Sequence, residues 1–287
     1  MGQLPQTLPA LLGRRFGWRR RVRALAVPLL AALAPATPAA AVELHTPHCL
    51  YGCPTTELPA SSDVIVRRSY TLASDDATKL AAWVAYRVDP ARFGGGRARA
   101  WAADPLLAPS ETLEPPDYRG AHAALGTDRG HLAPLASFGG DRQWRAVNYL
   151  SNILPQASAV NQGPWRALEA AIRDAAEAAP ELALYVLTGP LYTRPMAPMP
   201  GADESHRVPS GYWKLLAAEA DGRLEVRAFL FDRDLPRRAG YCERTVTLAQ
   251  LEAATGLRFF HGLDARPGLP VSDASALLRG LLGCAES

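Results

Sequence analysis

The fold class that this sequence predicts is α+β, with a mainly antiparallel sheet flanked by helices. Three observations carry the prediction. Five segments show the alternation or β-branched and aromatic content of strands, and three show helical periodicity. The two kinds never alternate in the regular βαβ order that a parallel sheet requires. Long stretches rich in proline and glycine, such as DPARFGGGRARAWAADP and TRPMAPMPGADESHRVP, lie between strands. Loops that long inside a compact domain are usually functional.

At the N-terminus, Arg14, Arg15, Arg19, Arg20, Arg21 and Arg23 precede an apolar run, ALAVPLLAALAPA, and then small residues ending at Ala39, Ala40 and Ala41. That is the layout of an export signal removed from the mature protein. The run is shorter than the roughly 20 apolar residues that span a bilayer, and Pro28 and Pro35 interrupt it. Residues 1–41 are therefore expected to be a signal peptide and the protein to be secreted or periplasmic. Residues 42–287 are expected to form one domain, since no low-complexity linker, charge block or repeat divides them. Loss of the signal removes six arginines and no acid, turning a net charge of +3 into 25 basic against 28 acidic residues, or −3. A uniformly basic coat for nucleic acid is excluded, and any polyanion must be met by a local arginine cluster or a bound cation.

Strands are predicted at VIVRRSY (64–70), AAWVAYRV (81–88), LALYVLT (182–188), YWKLLAA (212–218) and LEVRAFLF (224–231). The clearest helix begins near Asn161, tolerates Pro164 in its first turn, and repeats Trp165, Leu168, Ile172 and Ala175 as one apolar face. LAQLEAA (248–254) and SALLRGLLG (275–283) read as two more helices. Four cysteines in an exported chain imply two disulfides. Three pairings are open; Cys49 with Cys53, a ring turned at Gly52, and Cys242 with Cys284, which pins the last helix, are favoured. A zinc site is the alternative, with poor spacing for one.

The chemistry begins at TDRGHLAPLASF (127–138), where His131 closes a polar run that enters an apolar segment. Alone, such a histidine is more often a hydrogen-bonded structural residue than a base. Thirty residues on, Asn161, Trp165, Glu169 and Arg173 fall four apart and form a slanting stripe on the strong helix. Separately, Asn161 caps that helix and Glu169 with Arg173 makes an i,i+4 ion pair. Neither account explains why the stripe borders the core-facing side.

DRGH, NYLSNILPQ (148–156), NQGPWRALE (161–169) with Arg173 beyond it, TGPLY (188–192), HRVPSGYWK (206–214) and FLFD (229–232) together resemble the DNA/RNA non-specific endonuclease family of the ββα-metal superfamily, in particular its secreted Serratia-type branch. The likeness runs from about Cys49 to Cys284. It implies a ββα-metal motif built from the DRGH strand, the NYLSNI strand and the Asn161 helix. It also implies His131 as general base, Asn161 as the direct protein ligand of Mg²⁺ (or of Mn²⁺ in its place), and Glu169 as a residue acting on the ion's water shell. Arg99 and Arg173 are the implied phosphate-binding residues, and Asn152 an asparagine near the scissile phosphate. Asp128 and Arg129 shape the turn. Arg99 is preferred to Arg97 on its spacing to Trp101, in a loop that Gly94, Gly95 and Gly96 are expected to make mobile. His45, His48, His122, His206 and His261 match no role. The implied substrates are DNA and RNA without sequence preference, cut by water to leave 5′-phosphates. The resemblance also implies a homodimer, for which the sequence shows no surface, and a catalytically silent nucleic-acid-binding protein of the same fold is the alternative.

These roles make chemical sense. A neutral imidazole, with an ordinary pKa of about 6.5, can take a proton from water near neutral pH. Mg²⁺ keeps most of its waters and needs few protein ligands, and a neutral carboxamide leaves its double charge facing the phosphate. If both were helical, Glu169 would lie about 12 Å along the axis from Asn161, which favours action through water.

Overall fold

Most of the alternating segments assemble into one eight-stranded sheet in the computed structural model, which describes residues 44–55, 62–266 and 268–285. The predicted signal peptide lies outside them. In chain order the strands are β1 (Val64–Val66), β2 (Thr71–Asp75), β3 (Leu80–Arg87), β4 (Thr127–His131), β5 (Ile153–Ala157), β6 (Tyr185–Leu191), β7 (Gly211–Ala220), β8 (Arg223–Asp232), β9 (Thr245–Val246) and β10 (Val271–Ser272). The large sheet has the order β1-β2-β3-β6-β7-β8-β10, with β9 also on β8, and β4 and β5 form a separate antiparallel pair. All pairings are antiparallel except β8 with β10. The fold is α+β, as the segregated pattern predicts.

VIVRRSY does not form one strand. It stops at Val66 and turns, with Arg67 N–H donating to the Tyr70 carbonyl, so that Thr71–Asp75 returns beside it as a strand with no sequence prediction. NYLSNI also behaves differently: Leu150–Asn152 is a 3₁₀ turn, and β5 begins only at Ile153.

Both faces of the central sheet are covered. On one, Tyr86, Val186, Tyr212, Leu216, Phe229 and Phe231 pack beneath Trp165, Leu168 and Ile172. On the other, Trp83, Leu187, Trp213, Leu215 and Val226 pack against Leu251, Phe259 and Phe260. Burial on both sides explains why β7 is buried along eight successive residues, Gly211 to Ala218, with Lys214 among them.

Short helices α1 (Ala121–Leu125) and α2 (Leu135–Phe138) flank β4, and α3 (Ser158–Val160) follows β5. The long helix α4 runs from Arg166 to Ala178 and buries Leu168, Ile172, Ala175 and Ala176, the apolar face that its periodicity predicts. Its start differs from the sequence reading. Residues 161–165 form a π-type turn broken at Gly163 (φ −109°, ψ −114°), so Asn161 does not cap α4. The regular four-residue stripe holds only from Arg166 onward. Helix α5 (Leu248–Thr255) is capped by Thr247, whose hydroxyl accepts from Gln250 N–H, and α6 (Ala276–Leu281) is capped by Ser275. Cys49 pairs with Cys53 and Cys242 with Cys284, which ties the turn after Tyr241 to the end of α6. With all four thiols in disulfides the zinc alternative is overturned.

Candidate active site

The β4–β5 pair, followed by α3 and α4, frames a cavity of about 700 Å³. Arg99, His131, Asn161, Glu169 and Arg173 all line it; Asn152 does not.

His131 is the last residue of β4, half-buried beside Trp101, with ring centroids 5.2 Å apart. Its Nε2 lies 3.1 Å from Asn148 Oδ1. An amide oxygen only accepts, so Nε2 carries the proton and Nδ1 is the basic nitrogen. Burial lowers the His131 pKa to about 4, the positive charge of Arg99 acting the same way and the Asn148 hydrogen bond resisting. That corrects the ordinary value assumed from sequence. Gly130 precedes it because Gln156, which pairs with Asp128 across the ladder, folds over the strand, and a Cβ at Gly130 would stand 2.1 Å from Gln156 Oε1.

Asp128 does more than shape the turn. It accepts hydrogen bonds from Ser158 Oγ (2.7 Å), Asn161 Nδ2 (2.9 Å) and Gln162 Nε2 (2.8 Å). Burial works against its charge, but these hydrogen bonds outweigh that and lower its pKa. The bond to Asn161 fixes which way that carboxamide points: its nitrogen is committed to Asp128, and its oxygen is the atom left for a cation. Asp128 on β4 thereby positions a residue beyond α3. Arg129 packs over Tyr118 and Trp101, 5.2 and 5.7 Å from the ring centroids.

Glu169 and Arg173 stand on consecutive turns of α4. Beneath Glu169 lies Lys214, fully buried on β7, with Nζ 3.6 Å from Glu169 Oε1 and 4.0 Å from the Trp165 ring centroid. Among the described residues, neither Lys214 Nζ nor Glu169 Oε1 has a partner within hydrogen-bond distance. Burial raises the Glu169 pKa against the pull of Lys214 and Arg173, and burial lowers that of Lys214 to about 8. The Glu169 carboxylate and the uncommitted Asn161 oxygen are hard donors on one cavity, a set that fits Mg²⁺. Among the described residues, the group of three acidic side chains close enough to share an ion is Asp117, Asp203 and Glu204, and none of them lines the cavity.

Asn152 is fully buried, and its amide is consumed internally: Oδ1 accepts from Ala133 N–H at 2.9 Å, and Nδ2 donates to the Ala133 and Val147 carbonyls at 3.0 and 2.8 Å. It clamps the chain just after His131 and does not line the cavity. Asn148, four residues earlier in the same motif, is the asparagine that meets His131. Sequence reasoning missed Asn148 and Lys214. The first was visible as one more carboxamide in NYLSN, the second as one of only two lysines in the chain, set inside an apolar strand.

Of the two arginines weighed in GGGRARAW, Arg99 lines the His131 cavity and Arg97 does not. Gly94 is tethered: its N–H donates to the Ala136 carbonyl at 3.1 Å, and its backbone packs directly against Gly139. Among the other histidines, His48 is buried between Thr71 and the Arg68 carbonyl, and His206 accepts from Met199 N–H. His122 lines the cavity rim beside Asp128, with no role foreseen from sequence.

The model of the DNA/RNA non-specific endonuclease family matches residues 49–266. The chain is 41% identical over 269 residues to a nuclease of Serratia marcescens, covering 93% of this chain and 98% of that protein. It is 32% identical over 230 residues to the mitochondrial endonuclease G of Homo sapiens, covering 74% of each. The crystal structure of an EndoG/EndoGI complex resembles it in fold, with a TM-score of 0.62 at 22% identity over 79% of this chain and 95% of that one.

Proposed function

The chain belongs to the DNA/RNA non-specific endonuclease family, and from that premise we propose an exported, Mg²⁺-dependent enzyme that hydrolyses phosphodiester bonds of both DNA and RNA to 5′-phosphorylated products. The observation that carries this reading is the convergence of His131 and Asn161 on one cavity, each oriented by its own polar partner, Asn148 and Asp128.

His131 Nδ1 takes a proton from the attacking water while Nε2 stays tied to Asn148. Arg99 and Arg173 hold the phosphate from the cavity wall, and guanidinium forks suit its oxygens. Asn161 would hold the ion and Glu169 would act on its waters, with Lys214 supplying the buried counter-charge to Glu169. When bound, Mg²⁺, or Mn²⁺ in its place, supplies positive charge against the phosphate oxygens and the departing alkoxide. Contacts of this kind address phosphate and backbone rather than base edges, so little sequence preference is expected.

Plasmid DNA and RNA are both expected to be degraded with Mg²⁺ and to survive in EDTA. Cleavage that persists in EDTA would defeat the metal assignment, and cleavage of DNA alone would defeat the sugar-non-specific one.

The pH profile supplies a second test. His131 is active as a base only when neutral, so activity falls as pH drops through its pKa. With that pKa near 4, the acid limb of kcat/KM should lie well below the ordinary histidine value of about 6.5. A bound phosphate stabilises the imidazolium, so the limb of kcat should lie higher than that of kcat/KM. The Glu169→Gln variant removes the neighbouring carboxylate's titration, and the limb it retains belongs to His131. A limb on kcat/KM near 6.5 in that variant would contradict the lowered pKa of His131.

A further inference from the structure

A second cavity, of about 490 Å³, opens beside the first and shares Arg99, Leu135 and Ala136 with it. The glycine loop and Arg97 form its other wall. That wall is built against a fixed support. A Cβ on Gly139 would stand 2.1 Å from the Gly94 carbonyl oxygen, and Gly140 N–H donates to the Arg92 carbonyl at 2.9 Å. Arg97 Nε donates to the Gly139 carbonyl at 2.7 Å, which uses one of five guanidinium donors and leaves the two amino groups.

The Arg97 guanidinium lies 5.4 Å from the centroid of Trp144, and the Arg145 guanidinium lies 4.8 Å from the same ring. Both arginines are exposed, and neither is paired with a carboxylate among the described residues. Arg68 and Arg92 close by share Asp141 instead. Two uncompensated guanidiniums held on one indole repel each other, and an anion between them removes the repulsion. Trp144 opens the 3₁₀ run that ends at Asn148, the partner of His131. Four residues at about 2 Å rise place Trp144 about 8 Å from Asn148 along that run. A nucleic-acid strand advances about 3.4 Å per nucleotide, so the separation corresponds to a short step along a backbone.

We infer that Arg97 and Arg145, held on Trp144, form a second phosphate subsite that grips the substrate strand a few nucleotides from the bond being cut. The ligand is a backbone phosphodiester, because guanidinium groups offer only donors and Trp144 is already engaged by both. This inference rests on the nuclease reading above.

The test compares plasmid DNA with a thymidine dinucleotide as substrates over a range of KCl, using wild type, Arg145→Gln and the Arg97→Gln/Arg145→Gln pair. Each phosphate contact contributes about 0.7 to 0.9 to the slope of log affinity against log salt. On plasmid, log(kcat/KM) against log salt should become shallower by about that amount for Arg145→Gln and by about twice that for the double variant. The dinucleotide is too short to reach the subsite, so its kcat/KM should fall less than that of plasmid. An unchanged plasmid slope, or equal losses on both substrates, would overturn the subsite. Arg145→Gln removes an exposed side chain that makes no hydrogen bond among the described residues, so the test stands even if the double variant folds poorly. Should the wild type cleave neither substrate with Mg²⁺, the nuclease reading fails, and the salt slope of plasmid binding still decides the subsite.

Discussion

Replacement of His131 by alanine is expected to lower Mg²⁺-dependent plasmid cleavage by about 10²- to 10⁴-fold, the range a positioned general base contributes. The structure limits the other effects of this change. Among the described residues His131 makes one side-chain hydrogen bond, to Asn148, and its ring touches Trp101 at the cavity wall. Losing that bond leaves Asn148 Oδ1 short of a donor, a cost of about 1 to 3 kcal/mol. A melting temperature a few degrees lower with activity nearly abolished is the expected pairing of results. Near-normal cleavage would remove His131 from the base role. Loss of activity together with loss of the folded state would leave the role untested, so His131→Gln, which retains a polar side chain, should be measured beside it and should be comparably inactive.

Asn161→Ala is expected to have the next largest effect, and on a different observable. The substitution removes the cavity-facing amide oxygen and one of the three side-chain donors to Asp128. Loss of an outer partner of a metal ligand typically costs 10- to 100-fold in metal affinity or activity, roughly; loss of the ligand itself should cost at least that. The Mg²⁺ concentration for half-maximal cleavage should therefore rise at least tenfold, and kcat/KM at a fixed Mg²⁺ level should fall by about 10² or more. An Mg²⁺ requirement that does not move would take the ion away from Asn161. Asp128 retains Ser158 and Gln162, so folding should be little affected.

Much of this fold was legible because its signals are local. Alternation marked β3, β7 and β8, and the 3.6-residue repeat of Leu168, Ile172 and Ala175 marked α4. Where the reading failed, contacts that hydrophobic periodicity does not encode decided. The Val64–Tyr70 segment breaks because a turn at Arg67–Tyr70 returns the chain as β2, which no periodicity over five residues announces. The start of α4 is broken at Gly163, where a Cβ would stand 2.2 Å from the Arg237 carbonyl oxygen, a contact invisible in sequence.

The site divides in the same way. Motif spacing and the family resemblance together brought His131, Asn161, Glu169, Arg173 and Arg99 to notice, and all five line one cavity. Nothing local distinguishes Asn152, whose amide is used up inside the fold, from Asn148, which meets the imidazole; the difference arises when the 3₁₀ turns of 144–152 pack against β4. Lys214 became part of the site only because β7 passes beneath α4. The lowered pKa of His131 likewise depends on burial and on Arg99, thirty-two positions away in the chain.

The central claim is that one phosphate sits between the His131 imidazole and an ion on Asn161. A crystal structure of the His131→Ala protein with a short DNA duplex and Mg²⁺ tests it most directly. The account predicts the ion on Asn161 Oδ1, with a backbone phosphate between that ion and the space left by the imidazole. Density for the ion at Asp117, Asp203 and Glu204, or for the strand on another face, would contradict it.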